Sequence, residues 1–535
     1  MSRIEIYDTT LRDGTQGEGF NLSLQDKLLI AQKLDELGVD YVEGGFPLSN
    51  PKDAAFFRDV RQLKLKHAKV AAFGMTRRRG VKAEDDPGMK SLLEAETPVV
   101  TIVGKTSPFQ VTNVLGVTLD ENVSMIGDSV KLMRSAGRQV VYDAEHFFDT
   151  YRSDPAYAMR TLLAAQEAGA NVLCLCDTNG GTMPEQVAEA VAAVVKNTSV
   201  KVGVHTHNDC GLALANAIAG IRAGATHSQG TINGVGERCG NMDLLPLIAN
   251  LRLKYKLDCL QGADTLKHLT ETSRYVYEIA NLSPQNGQPY VGASAFAHKG
   301  GMHVHAVQKD ASTYEHVSPE TVGNERKVLV SEMSGRSNIT AKAGKKFDVA
   351  AHKEAVGRVL NRVQDLENEG YQFEAAEGSF ELLLRKEIGR YRRFFDLDHY
   401  RCVILKQDGG QPVSEATVKL HVGGALEHQV AEGDGPVNSL DAALRKALRP
   451  HYPQIDGVHL TDYKVRVINS KDETAAKVRV VIECKRERSP GEPAADGQKE
   501  LFGTIGVSTN VIDASWQALV DAYEYHLVHA EEAKG

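Results

Sequence analysis

Residues 171–209 read NVLCLCDTNGGTMPEQVAEAVAAVVKNTSVKVGVHTHND. An apolar run opens the stretch and ends in a polar cluster, C-D-T-N-G-G. A longer segment follows, with Pro184 in its first turn and apolar residues at helical spacing. A second apolar run, Lys201–Val204, then ends in a second polar cluster, H-T-H-N-D. The two short runs are nearly continuous in apolar residues, as parallel strands covered on both faces should be.

The same unit recurs along the first half of the chain. Apolar runs stand at Ile4–Tyr7, Tyr41–Val42, Lys69–Phe73, Val99–Val103, Gln139–Tyr142, Asn171–Leu175, Lys201–Val204 and Ser228–Ile232. Helical patterns separate them. In residues 22–38, Leu24, Leu28, Leu29, Leu34 and Leu37 fall at three- and four-residue steps, Ser23 with Asp26 marks a start, and Gly38 marks a stop. Eight strand–helix units predict a parallel (β/α)8 barrel, an α/β fold; an open doubly wound sheet is the competing architecture. Polar clusters follow strands one, two, five, six, seven and eight: D-T-T-L-R-D-G-T-Q, E-G-G-F-P, D-A-E-H, C-D-T-N-G-G, H-T-H-N-D and N-G-V-G-E-R-C-G-N. A barrel gathers all of these on one rim, where active sites form.

Beyond the barrel the rhythm changes. Three regions are expected: 1–265 as the barrel, 266–395 as mostly helical linker subdomains, and 396–535 as an α+β domain. Residues 343–370 read as a helix pair stopped by Gly370. After 396, HYRCVILK, ATVKLHVGG, DYKVRVIN, KVRVVIECK and LFGTIGVS alternate with period two. NSLDAALRKAL and DASWQALVDAYEYHLVHA follow two of them as helices, so a duplicated ββα unit is expected. Residues 486–498 read as a loop.

The 535 residues are 42% hydrophobic and 25% charged, with a formal net charge of −8. That balance suits a globular protein and argues against a nucleic-acid partner. No run of 18 apolar residues exists, so no membrane span is expected. Met1–Glu5 leads straight into a strand pattern without a signal-peptide core, so a cytoplasmic protein is expected. The seven cysteines are odd in number and read as reduced thiols.

On a strand, residues two apart share a face, so His205 and His207 aim two imidazoles at one point. Alone, an H-x-H pair is a weak signal. In a closed barrel, strand eight alone separates strand seven from strand one, which brings Asp13 to the same rim sector. Asn241, after strand eight, adds an amide oxygen. Two nitrogen and two oxygen ligands without thiolate suit Mg²⁺, Mn²⁺, Co²⁺ or Zn²⁺ and leave positions open for a substrate. Arg12, beside Asp13, can stabilise developing anionic charge, or can pair with Glu43 or Asp143.

These motifs resemble those of the metal-dependent TIM-barrel acyltransferases that include the 2-isopropylmalate, homocitrate and citramalate synthases. The resemblance rests on D-T-T-L-R-D-G-T-Q, E-G-G-F-P, H-T-H-N-D, G-E-R-C-G-N, H-x-x-G-G-M-H (298–303) and G-N-E-R-K-V-L-V-S-E-M-S-G-R-S-N (323–338), and it runs the length of the chain. It implies a Claisen condensation of acetyl-CoA with a 2-keto acid. Pyruvate is the favoured keto acid, giving citramalate for isoleucine biosynthesis; 2-ketoisovalerate is the alternative. It also implies Arg12, Glu145, His303 and Tyr314 as catalytic residues and Arg12 and Thr178 as substrate-binding residues. His298 and His305 compete with His303, Asp143 competes with Glu145, and Thr178 can equally cap a helix. Asp13, His205, His207 and Asn241 remain the metal ligands. A homodimer is implied, with a C-terminal regulatory domain that takes isoleucine or leucine as effector. Cys239 fits an acyl-CoA lyase of the same barrel but is expected as a small buried thiol. Leu48 stands where the pyruvate-using members lead one to expect glycine. A non-enzymatic amino-acid-binding protein would lack the ligands, and all four are present.

Overall fold

Eight parallel strands close into a barrel: β1 (Glu5–Asp8), β2 (Tyr41–Gly45), β3 (Lys69–Met75), β4 (Val99–Lys105), β5 (Gln139–Glu145), β6 (Val172–Asp177), β7 (Lys201–Thr206) and β8 (His227–Gly230). The closing seam pairs β8 with β1, from Glu5 opposite His227 to Asp8 opposite Gly230. This is a computed structural model, describing residues 3–330, 338–339, 353–469, 475–487 and 499–533.

Local chemistry sets the elements between the strands. The helix Leu24–Leu37 starts on a capping box in which Ser23 and Asp26 exchange hydrogen bonds with each other's backbone, as expected. It stops at Gly38, whose φ of +87° and whose approach to Gln261 O, 2.0 Å from an added Cβ, both exclude a side chain. The helices Pro184–Asn197 and Ala213–Arg222 also follow the expected pattern. β8 ends sooner than its apolar run does. Thr231 donates its hydroxyl to Val235 O, and the chain turns through a short 3₁₀ segment, Ile232–Gly234.

One large apolar cluster lies between barrel and helices, and a smaller one, including Tyr7, Tyr41, Val99, Val141 and Val172, fills the barrel. The interior above it is polar: Asp8, Glu43, Thr101, Asp143 and Gln229 are all buried. The chain divides into two compact units, residues 1–296 with 317–326 and residues 297–316 with 327–535. In the first, helix Leu269–Ile279 joins the barrel, and Thr270 donates to Val322 O across 2.7 Å.

The second unit contains the helix Lys353–Asn368, ended at Gly370 with φ +110°. The remainder of the expected helix pair, through residue 352, lies outside the described residues, as do residues 331–337 and 488–498 of the other tracts named above. The duplication is βββα, one strand richer in its first copy than the sequence reading. Strands Phe395–Leu405, Val413–Val422 and Ala425–Gly433 precede helix Pro436–Leu448; strands Val458–Val467, Val478–Glu487 and Lys499–Ser508 precede helix Val511–Glu532. The first strand of each copy carries a register shift at the matching place, Leu397/His399 and Leu460/Asp462. The added strand, Ala425–Gly433, turns back through Gly423 and Gly424, both with positive φ. It is an edge strand with little buried apolar surface, so its period-two signal is weak. Each helix covers one face of its sheet. On the first sheet Val403, Ile404, Leu405, Leu426 and Val430 are exposed, and on the second Leu460, Val465, Val467 and Leu501. Among the described residues no helix is long and apolar enough to cross a membrane.

Candidate active site at the barrel mouth

Asp13 sits after β1, where backbone bonds from the amides of Arg12, Asp13 and Gly14 to Thr9 O fold the chain back over the strand end. His205 and His207 leave the end of β7 on one face. Asn241 is delivered by a return of the loop after β8: it bridges to His207, while Met242 N donates to Thr206 O and Asn208 N donates to Gly240 O. Gly236 permits this return, since a Cβ there would lie 1.9 Å from Asn241 Oδ1.

The four side chains meet, and all four are buried. His205 Nε2 lies 3.1 Å from Asp13 Oδ2 and 3.3 Å from His207 Nε2. Asn241 Nδ2 donates to Asp13 Oδ2 at 2.9 Å. Asn241 Oδ1 and His207 Nδ1 are buried without a hydrogen-bond partner among the described residues. Ligand atoms of Asp13, His205 and His207 lie within 4.8 Å of one another.

Gln229 sets the tautomer of His205. Gln229 Nε2 donates to Asp143 Oδ1 at 2.9 Å, so its Oε1 faces His205 Nδ1 at 2.8 Å and takes the proton that nitrogen carries. The Nε2 lone pair of His205 is thereby aimed at His207 Nε2 and Asp13 Oδ2. Burial works against ionisation of Asp13, but Arg12 and His205 hold its carboxyl well below the usual range. Burial, with His205 beside it, pushes His207 down to about 4, so this imidazole is neutral at pH 7. For His205, Asp13 overcomes burial and raises the imidazole. An anionic oxygen, two inward imidazole nitrogens and an orphaned amide oxygen form a donor set that fits a divalent cation.

Arg12 lies beside this cluster. Its Nε donates to Glu43 Oε2 at 2.6 Å, its guanidinium carbon stands 4.0 Å from the centre of the Phe73 ring, and its Nη1 lies 3.4 Å from Asp13 Oδ1. The expected alternative of a Glu43 ion pair is thus real, and it also orients Arg12: Nε is spent on Glu43, and the guanidinium keeps its Nη donors. Glu43 is fixed in turn by Tyr7, whose hydroxyl donates to Glu43 Oε1 at 2.7 Å and sits 2.5 Å from Thr101 Oγ1. Burial, and then Glu43, pushes Asp143 up to about 6.

The other expected residues divide between the two units. Glu145 ends β5 at the mouth and pairs with Lys105, whereas Asp143 is spent on Gln229 inside the barrel. Thr178 Oγ1 accepts the backbone N–H of His146 at 2.8 Å, so it clasps the loop after β5 to the loop after β6. His303, on helix Gly301–Lys309, and Tyr314 belong to the second unit, where their rings stack at 4.1 Å. Of the competing histidines, His298 is bound to Glu315 at 3.0 Å and His305 is exposed. The expectation of a buried Cys239 is corrected: its thiol is exposed, because neighbouring Arg238 swings the loop outward to meet Asp209 and Thr178 O. Leu48 is exposed as well.

Sequence reasoning missed Gln229 and undervalued Glu43. The available signal was a polar side chain inside a strand buried on both faces, which needs a buried partner.

The HMGL-like family model matches residues 3–276, the homocitrate synthase post-HMGL domain-like model residues 290–371, and the LeuA allosteric (dimerisation) domain model residues 374–527. The chain is 50% identical to a protein of Geobacter sulfurreducens named (R)-citramalate synthase, over 100% of this chain and 99% of that one. It is 48% identical to the protein of that name from Aquifex aeolicus, over 99% of each. A 2-isopropylmalate synthase of Halalkalibacterium halodurans is 28% identical over 98% of this chain and 96% of its own length.

Proposed function

The chain belongs to the HMGL-like family, in the company of full-length relatives named (R)-citramalate synthase, and we propose that it condenses acetyl-CoA with pyruvate to give citramalate and CoA. The observation that carries this reading is the meeting of Asp13, His205, His207 and Asn241 beside an Arg12 held by Glu43. Asp13, His205, His207 and Asn241 would hold a divalent cation there, which would supply Lewis-acid polarisation of the keto-acid carbonyl. Mg²⁺, Mn²⁺, Co²⁺ and Zn²⁺ all suit the donors.

The chain's own residues do the rest. Arg12 binds the keto acid and meets the negative charge that develops as the carbon–carbon bond forms, with donors already oriented by Glu43. Thr178 takes the keto-acid carboxylate. Glu145, with His303 and Tyr314, handles the acetyl α-proton. In this reading residues 1–265 hold the substrates, 266–395 supply His303 and Tyr314, and 396–535 dimerise and bind isoleucine or leucine. The exposed apolar face of the first sheet in the duplicated unit supports pairing with a second copy. We propose a cytoplasmic location, where both acetyl-CoA and pyruvate are at hand.

Thiol release from acetyl-CoA, measured with Mg²⁺ or Mn²⁺ across a panel of 2-keto acids, tests the reading. Pyruvate is expected to give the highest kcat/KM, and chelation of the metal to abolish release. A strong preference for 2-ketoisovalerate would replace it with 2-isopropylmalate synthesis.

A further inference from the structure

Glu145 does not stand alone at the mouth. Lys105 ends β4 as Glu145 ends β5, the two are directly opposite in register, and the Lys105 ammonium meets the Glu145 carboxylate in an ion pair. Strand parity says where they point. On β4, Thr101 turns inward to Tyr7, and Lys105, four residues on, shares its face. On β5, Asp143 turns inward to Gln229, and Glu145, two residues on, shares its face. Cys176 on β6 agrees. A contact with Cys174 pulls the other way, but burial, Asp143 and Glu145 push its thiol up to about 11.

The Lys105 and Glu145 side chains keep 17% and 21% of their exposure. That is too little for a freely screened surface pair and enough to meet a substrate. The mouth therefore holds two fixed pairs, Arg12–Glu43 from the turn after β1 and from β2, and Lys105–Glu145 on β4 and β5. In the first the carboxylate is fully buried and the cation faces the reaction. In the second the carboxylate is at the rim, and the cation is its only ion-pair partner among the described residues.

We propose that Lys105 is a positioning residue for the condensation, holding the Glu145 carboxylate aimed into the mouth. This rests on the reading of Glu145 given above. A flexible carboxylate within two residues of Asp143 gains from a neighbouring ammonium both a fixed rotamer and a charge partner. Neither effect requires Lys105 to touch the keto acid.

A double-mutant cycle tests it, using thiol release with pyruvate by the full-length protein. Lys105→Met is expected to lower kcat about 100-fold while KM for pyruvate stays within about threefold, and Lys105→Arg to restore most of the loss. Glu145→Gln is expected to cost as much, and the double variant to be no slower than Glu145→Gln alone. Should Lys105→Met fold poorly, Lys105→Gln takes its place, with Mn²⁺ affinity as the check that the metal cluster is intact. Unchanged kcat in Lys105→Met overturns the proposal. So does a raised KM with kcat intact, which makes Lys105 a ligand of the keto-acid carboxylate, and so do additive losses in the double variant. A wild-type protein that turns over no keto acid overturns both this inference and the reading beneath it; wild-type turnover with an additive cycle overturns this inference alone.

Discussion

The barrel and the duplicated βββα unit solve the same problem in opposite ways. Each must decide what to do with groups that do not fit an apolar core. The barrel turns its polar groups inward, where Tyr7, Glu43, Asp143, Gln229 and His205 satisfy one another in two short chains ending at Arg12 and at the metal cluster. The duplicated unit turns apolar groups outward on its first sheet, leaving Leu405, Leu426 and Val430 on the face away from its helix. Buried polar networks fix geometry at a high cost if broken. Open apolar faces await another surface. The first arrangement is built for chemistry and the second for a partner, and substitutions should separate the two.

The largest effect is expected at the cluster. His205→Ala removes an imidazole and leaves Asp13 with one cation partner fewer. Thiol release should fall by about 10³-fold or more, as the loss of Lewis-acid assistance worth several kcal/mol requires. Circular dichroism and oligomeric state should not change. A variant that keeps a tenth of its activity would show that His205 is not a ligand. The mirror experiment is Leu405→Asp, which places a charge on the open face of the first sheet. Association should weaken by about 100-fold in sedimentation equilibrium, from the desolvation of a charge at an apolar contact. Mn²⁺ affinity of the barrel should stay within about twofold. Unaltered association would remove that face from the interface.

Much of this contrast was legible in the sequence, and the reasons for the gaps are physical. Eight apolar runs at regular spacing marked the barrel because strands covered on both faces cannot hide their hydrophobicity. Parity alone placed His205 and His207 on one side, and closure brought Asp13 and Asn241 to them. Gln229 was not legible as a partner of His205: nothing in H-S-Q-G says that the amide reaches across the interior to β5. Lys105 went unread because a lysine at a strand end is ordinarily a solvated one. The strand Ala425–Gly433 was missed because an edge strand need not bury its alternate residues. Cys239 was misplaced because the outward pull of Asp209 on Arg238 comes from a different loop.

A smaller effect sharpens the barrel side. Gln229→Leu keeps the volume and removes the acceptor for His205 Nδ1–H. The imidazole is then free to take either tautomer, and Asp143 loses its donor. Loss of such an orienting partner costs about 10- to 100-fold in metal affinity. Competition with a chelating dye reads this directly, and an affinity within twofold of wild type would show that the orientation of His205 is set elsewhere.

The smallest effect tests whether the second unit has an inward polar site of its own. Glu524, on the last helix, is buried and accepts the Tyr391 hydroxyl at 2.7 Å. Burial pushes its carboxyl up to about 7, against the help of Tyr391 and Lys386. A carboxyl raised in the folded state binds its proton more tightly there than in the unfolded chain. Its stabilising share is therefore complete below the unfolded value near 4.5, shrinks as pH rises from there to about 7, and stays lost above that. Glu524→Gln cannot ionise. Its Tm relative to wild type should rise between pH 5 and 8 and level off beyond, whereas the same scan on Gln229→Leu should lack this step. A flat difference would mean that the ionised Glu524 is as well satisfied as the protonated one, through Tyr391, and that the duplicated unit, unlike the barrel at Asp143, pays little for the carboxylate it buries.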